Sequence, residues 1–447
     1  MKAAFFSRRM TVAWLAAVLT GVLAAATPWL DRLRPTPNNQ LAAYQFLVTS
    51  GADAGTGSLR EAIFQADRAD GRSRITIEAP VIELNSPLPP IVNTAGVVIE
   101  AVREGIVIKA SRLGEGAVLD IVTSGTSIAG LTIVDSPGQA ILLRASGVRL
   151  TRLHVQRAAV GVLAMDNVGD LSVTDSDFQD NGLGIQLGAG VMEVRLRNNR
   201  FRRHTRAAVW SVAPTTPPRS TTPAVSIDGN QFDGDETSVV LMNTLARVGH
   251  NTFTGARTSA MLLKGSAVTV RDNRVRSGLG FGISADGLDH AMIAENEINH
   301  NCAGGILLRE SRGTQISANR LYSNGYGIVM VLGSSGNPNI VADNMVMRNV
   351  AGGLYVIGSS PLIRSNRMVA NEGFGLRLSS LRAKGQPVVE SQPLVDANVL
   401  AGNSSDTPVR DEFLVVTEQE TSRATQDCAW RSGPADEPGL RIAGRIQ

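Results

Sequence analysis

Between residues 272 and 379 apolar positions recur two apart in short runs. Ile283 and Ala285, Ile306 and Leu308, Ile328 and Met330, and Leu354 and Val356 form such pairs. Alternation of this kind marks strands with one face turned inward. Before each run stands the same phrase: asparagine, a variable residue, an apolar residue, and then a glycine. The leading asparagines fall at 273, 296, 319, 344 and 366, so the steps are 23, 23, 25 and 22 residues. A second asparagine follows five residues on at 301, 324, 349 and 371. A fixed period this short means stacked repeats, and a helical hairpin would need about thirty residues or more.

Three short strands and three turns fill one such step. The pattern therefore predicts an all-β chain, a right-handed parallel β-helix with coils about 4.8 Å apart. Asn301, Asn324, Asn349 and Asn371 should stack in one row, their amides bonded along the axis as in other in-register stacks. The glycines before the runs are expected to supply positive φ at a tight corner. The central residue of each run should point outward, which gives Trp210, Leu241, Leu262, Leu307, Val329 and Tyr355 an outer stripe. Such a stripe is either covered by another part of the chain or is a surface for a protein partner.

The coils are expected over 75–401. Early strands are marked by Ile75 and Ile77, Ile82 and Leu84, Val97 and Ile99, and Ile106 and Ile108. One step is long, from Asn199 to Asn230, and its extra residues are the Pro- and Thr-rich 214–223, a projecting loop. Residues 402–447 are polar and read as a C-terminal cap and tail. Within 35–74, a linker precedes Ser58-Leu-Arg-Glu61, the capping-box spacing of a helix start. An N-terminal helix there would close the first open coil, whose core and strand edges are otherwise bare. Residues 1–34 carry Lys2, Arg8 and Arg9 ahead of an uncharged apolar run from Met10 to Leu30. That is a signal peptide or a retained membrane anchor, and either places the remainder outside the cytoplasm: periplasmic, or held at the inner membrane.

Composition adds little to the fold and more to the partners. Aromatic residues make up 4% of the 447, which suits a narrow core of Val, Ile and Leu. The formal net charge is +3 and the arginines are interleaved with acids, so no nucleic-acid arm is expected. His154, His250 and His300 lack ligand spacing, so neither a metal nor a cofactor is expected; His204 falls in the second asparagine row and reads as a substitute there. Cys302 and Cys428 can pair in an exported protein or stand as two isolated thiols.

Candidate chemistry lies in one stretch. Four residues past the corner glycines stand Asp286 and Arg309, with Lys264 equivalent one coil earlier. These three should form a row, with Asp289, His290, Glu310 and Arg312 in the turns beside it. Cations that neutralise a carboxylate, a base for a C5 proton and an acid for a leaving oxygen are what cleaving or epimerising a uronic sugar requires. Asp286, Asp289, His290 and Arg309 are the candidate catalytic groups. Lys264, Glu310 and Arg312, with the rings of Trp210 and Tyr355, are the candidate binding groups. The alternative is a charge row that neutralises itself on a solvated face.

The Ser58–Ala66 stretch resembles the opening segment of many bacterial extracellular β-helix proteins. The coils over roughly 75–400 resemble the carbohydrate-binding and sugar-hydrolase β-helix family. That family includes polysaccharide lyases, polygalacturonases, mannuronan epimerases and the periplasmic β-helix protein of nitrous-oxide-reductase maturation. The resemblance implies an exported protein that binds, and in the enzymes modifies, a polysaccharide, or else a non-catalytic scaffold or maturation factor. Asp286-Gly-Leu-Asp289 looks like part of the polygalacturonase signature, but the other segments of that signature are absent. The epimerase Asp-Pro-His-Asp is replaced by Asp286-Gly-Leu-Asp289-His290.

Overall fold

The computed structural model describes residues 44–212, 223–265, 267–333, 336–383 and 387–416. Over these residues the chain winds as a parallel β-solenoid of the right-handed type. Three sheets of fifteen, fourteen and thirteen strands run its length. Each coil contributes one strand to the first sheet, one to the second and one to the third, and every strand pairs in parallel with its equivalent one coil on. The first described strand is Tyr44–Val48 and the last is Val409–Val416. Between the first two strands of the first sheet lies a helix, Leu59–Arg68. Its Ser58 Oγ accepts from the Glu61 amide, and Glu61 Oε2 accepts from the Gly57 amide at 2.6 Å. Leu59, Ala62, Ile63 and Ala66 are buried in the same core as the coils.

Inward residues of all three sheets make one continuous core. Its filling differs from the expected Val, Ile and Leu in one place. Phe178, Phe201, Phe232 and Phe253 occupy one inward column, and their rings stack at 5.2, 4.9 and 4.6 Å. Parallel in-register stacking puts like side chains over like, and offset rings gain from it.

Asn301, Asn324, Asn349 and Asn371 stand in one buried row that continues to Asn403. From Asn324 on, each Oδ1 accepts from the backbone amide and the Nδ2 of the asparagine one coil earlier, and Asn301 Oδ1 accepts from the Gly278 amide. The last member, Asn403, donates both groups to Asp406 Oδ1, at 2.8 and 3.0 Å. Those bonds, the backbone one foremost, hold the Asp406 carboxyl below its ordinary range. The leading asparagines form a second and longer row, from Asn199 through Asn398. His204 does sit at the Asn301-equivalent position, between Asn181 and Asp235. Its Nδ1 is 2.7 Å from Asp235 Oδ1, with both side chains fully buried.

The corner glycines have a different reason from the one expected. Gly282, Gly305, Gly327 and Gly375 are not at positive φ; that conformation falls instead on Asp272, Ser277, Glu295, His300, Ser323 and their equivalents. What the glycines avoid is the next coil. A Cβ on Gly305 would stand 2.6 Å from the Gly327 carbonyl oxygen, and one on Gly327 2.5 Å from that of Gly353.

The outer stripe of the third sheet also needs correction. The column runs Trp210, Val240, Leu262, Ser284, Leu307, Val329, Tyr355. Leu241 points inward, one residue out of step with the expectation, and a one-residue shift reverses the face. Nor is the stripe open. Val240, Val329 and Tyr355 are buried and the other apolar members are half-buried. The loop expected to cover it, all but Pro223, and the tail beyond 416 lie outside the described residues, as do 1–43 and Cys428.

Charges on the turns pair along the axis. Arg203 holds Asp180 in a two-point contact at 2.8 and 3.0 Å, and its hydrogen bond pulls the carboxyl down to about 2. A carboxyl with a depressed folded pKa stabilises above its unfolded value near 3.9, and that contribution is lost as pH falls toward 2. Acid titration of the melting temperature should therefore show a loss between about pH 4 and pH 2 that Arg203→Ala reduces. Identical titration curves for variant and parent would remove Asp180 as a contributor.

Candidate functional site

Strands Ser259–Lys264, Phe281–Asp286 and Gly304–Arg309 lie side by side in the third sheet. Each ends on a charged residue. The register places Lys264 opposite Asp286 and Asp286 opposite Arg309, so the three form a row on consecutive coils. Strand alternation makes that row outward-facing, because Leu263, Ala285 and Leu308 beside it fill the core. Lys264 is exposed. Asp286 and Arg309 are more withdrawn and close on one another, Oδ2 to Nη2 at 3.3 Å. Further along, the row turns apolar at Val331 and Ile357, both buried.

The turn after these strands carries the second group. Asp289 and Arg312 bridge adjacent coils, and Arg312 Nη2 donates to Asp289 Oδ2 at 2.8 Å. That bond is the main cause holding the Asp289 carboxyl below its ordinary range. His290 Nδ1 stands 2.5 Å from Asp289 Oδ1. On the other side of the ring, Asn337 Nδ2 lies 2.9 Å from His290 Nε2. With the amide NH₂ as donor, Nε2 is the acceptor nitrogen, and Nδ1 lies close to Asp289 Oδ1 without a hydrogen bond to it. Gly313 lets the turn approach: a Cβ there would meet His290 Cδ2 at 3.0 Å. The imidazole is 70% exposed, so its accepting nitrogen is open to a ligand that displaces Asn337.

The sequence-predicted residues thus fall into two neighbouring sets, Lys264 with Asp286 and Arg309, and Arg312 with Asp289 and His290. Glu310 lies between them, exposed, at positive φ. Trp210 is remote along the axis, half-buried, with the Arg206 guanidinium 5.7 Å from its ring. Tyr355 is not an open ring. It is 4% exposed, its hydroxyl is 3.0 Å from Ser379 Oγ, and Arg377 lies 5.5 Å from its face. Asn337 was missed from sequence. The signal was present as the 25-residue step from Asn319 to Asn344, whose extra residues are accommodated in this turn.

Residues 220–338, which include both sets, match the family model described as periplasmic copper-binding protein (NosD). No curated protein matches the chain. Among solved structures it is similar to an α-1,3-glucanase catalytic unit from Streptomyces thermodiastaticus, with 14% identity over 83% of this chain and 71% of that one, TM-score 0.46. It is also similar to a mannuronan C-5 epimerase module from Azotobacter vinelandii, 14% identical over 84% and 100%, TM-score 0.44. A periplasmic alginate epimerase is 12% identical over 83% and 85%, TM-score 0.33. These likenesses concern coil architecture and carry nothing about chemistry. Copper belongs to the description of the matched family, and the donors among the described residues do not suit it. Among the described residues no three His, Cys, Asp or Glu side chains converge, and His250 and His290 each turn a ring nitrogen to an aspartate. The chain is a parallel β-helix repeat protein whose residues 220–338 are similar to the NosD family.

Proposed function

We propose that this is an exported envelope protein that binds an acidic polysaccharide across the third sheet and the turn that follows it, and acts on it there. The observation that supports this most is the arrangement Arg312–Asp289–His290. A carboxylate fixed by an arginine stands beside one imidazole nitrogen, and the other, facing Asn337, is an exposed nitrogen able to act as a base. Lys264 and Arg312 would neutralise a uronate carboxylate. His290 Nε2 would then remove the C5 proton, leaving its electron pair delocalised into the neutralised carboxylate. Transfer of that proton from the imidazolium to O4 as the C4–O4 bond breaks completes a lyase reaction; protonation of C5 from the opposite face by water, with the imidazolium losing its proton to solvent, completes an epimerase reaction. The Asp286–Arg309 pair lies beside this as a fixed dipole. Residues 1–34 would direct export, the helix at Leu59–Arg68 would close the first coil, and 402–447 would close the last.

Incubation with polyuronate in deuterium oxide tests this. The expected result is deuterium at C5 or new unsaturated ends, both abolished by His290→Ala with the melting temperature unchanged, since the side chain is at the surface. Full turnover in that variant removes the site.

A second reading is a non-catalytic scaffold or maturation factor. Two observations favour it: the similarity of 220–338 to the NosD family, and the closure of the charged groups on one another. Absence of binding to any polysaccharide, together with co-purification of a defined envelope protein, is its expected signature.

A further inference from the structure

The second sheet carries a set of arginines that the site above does not use. Its outward column over the later coils reads Arg274, Glu297, Arg320, Met345, Arg367. Arginine therefore recurs on every second coil, and all three are exposed. Arg276 begins the parallel outward column, and Arg348 stands at its corner two coils beyond Asn299. Some arginines of the solenoid are closed by a carboxylate one coil away, as at Arg203, Arg271 and Arg312. No described carboxylate lies within 4 Å of Arg276, Arg320, Arg348 or Arg367. Arg274 reaches Glu297 only at 3.7 Å. Glu297 is the one acid in the two columns over these coils, and it accepts the Tyr322 hydroxyl at 2.6 Å. That bond, the largest cause, pushes the Tyr322 phenol above its ordinary range.

Between Arg320 and Arg367 the surface is apolar and half-buried, at Met345 and Met347, with Tyr322 beside Arg320. A straight column of forks separated by flat apolar ground suits a linear chain whose units carry a carboxylate and a C–H face. We propose that this face of the second sheet is a second binding surface for an anionic polysaccharide lying along the solenoid axis. Alternate coils are about 9.6 Å apart, twice the strand spacing. A pyranose unit advances its chain by about one coil, so uronates two units apart meet Arg320 and Arg367 while the unit between lies over Met345; Glu297 bounds this stretch on the Arg274 side. Nucleic acid is the less suitable polyanion. Duplex phosphates wind away from a straight column, and a single strand would need several open rings rather than one half-buried tyrosine.

This inference rests on the polysaccharide reading but concerns a different side of the prism from the Lys264–His290 region. Its consequence is bivalence: one molecule can hold chain on the second sheet while another stretch occupies the turn after the third.

The test is retention of the full chain on immobilised polygalacturonate, with dextran and duplex DNA as comparators. Arg320→Glu/Arg367→Glu is compared with Lys264→Glu/Arg312→Glu. All four side chains are exposed, and unchanged far-UV spectra and melting temperatures verify folding. The parent is expected to bind polygalacturonate in a salt-sensitive way and not dextran. The Arg320/Arg367 variant should lose about tenfold or more in affinity, a free-energy change of about 1.4 kcal/mol or more. Loss only in the Lys264/Arg312 variant overturns the second surface and leaves the first reading standing. No binding by the parent overturns both. Equal retention on DNA, lost in the same variant, overturns the assignment to polysaccharide in favour of a general polyanion.

Discussion

Asn324→Leu is expected to lower the unfolding free energy by about 3 kcal/mol or more. Asn324 Oδ1 accepts from the Asn301 amide and from Asn301 Nδ2, both at 3.0 Å. Its Nδ2 donates to the Ile298 carbonyl at 2.9 Å and to Asn349 Oδ1 at 3.2 Å. Leucine matches the volume but offers none of these. The Asn301 backbone amide is left buried without an acceptor, and each such group costs about 1–3 kcal/mol. Leucine's branched end also crowds Gly305, where the asparagine Nδ2 is already 3.5 Å from a notional Cβ. Thermal and urea melts of the full chain check this. A midpoint within error of the parent would mean that the row is solvated and carries no weight. Asn324→Asp is a useful companion, since it keeps the acceptor and removes the donor.

Gly327→Ala should be of similar size, about 3 kcal/mol, by overpacking rather than by lost hydrogen bonds. The added methyl would lie 2.3 Å from Val346 Cγ1 and 2.5 Å from the Gly353 carbonyl oxygen. The valine can turn, but the carbonyl belongs to the next coil and moves only if the coils part. Gly336→Ala is the control, because nothing lies within 4 Å of that position. The pair separates a steric cause from glycine's general flexibility. Equal effects at both sites would contradict the steric account, and so would a stabilised Gly327 variant.

These two positions also mark what could be read from the chain. The period of the asparagines and the two-residue alternation determine the coil, because only a parallel stack repeats a strand, an amide and a corner at that step. The row Lys264–Asp286–Arg309 followed from the same count, since register in a solenoid is arithmetic. The count failed at Leu241, where the long step after Asn199 removes the reference and a one-residue error reverses the face. It could not give the reason for the corner glycines, which depends on the next coil's carbonyl and not on local φ. Nor could it give the partner of His290: Asn337 is 47 residues away in the chain, on an inserted turn whose path no periodicity specifies. Tyr355 was assigned to an outer position correctly, but burial of an outer position depends on what lies over it.

The first asparagine row has a direction. Each Nδ2 from Asn301 to Asn371 gives one hydrogen to the Oδ1 of the next coil's asparagine, and each of those Oδ1 atoms faces the previous coil. Peptide-like dipoles aligned head to tail sum, as they do along a helix, and polarise one another where water is excluded. The row is therefore a thread with its positive end at the last coil, where Asp406 receives it. A carboxylate at that point acts as a counter-charge for the whole thread as well as a local acceptor. A further asparagine could join this row beyond Asn403 only by displacing that aspartate, so among the described residues a single side chain ends the row.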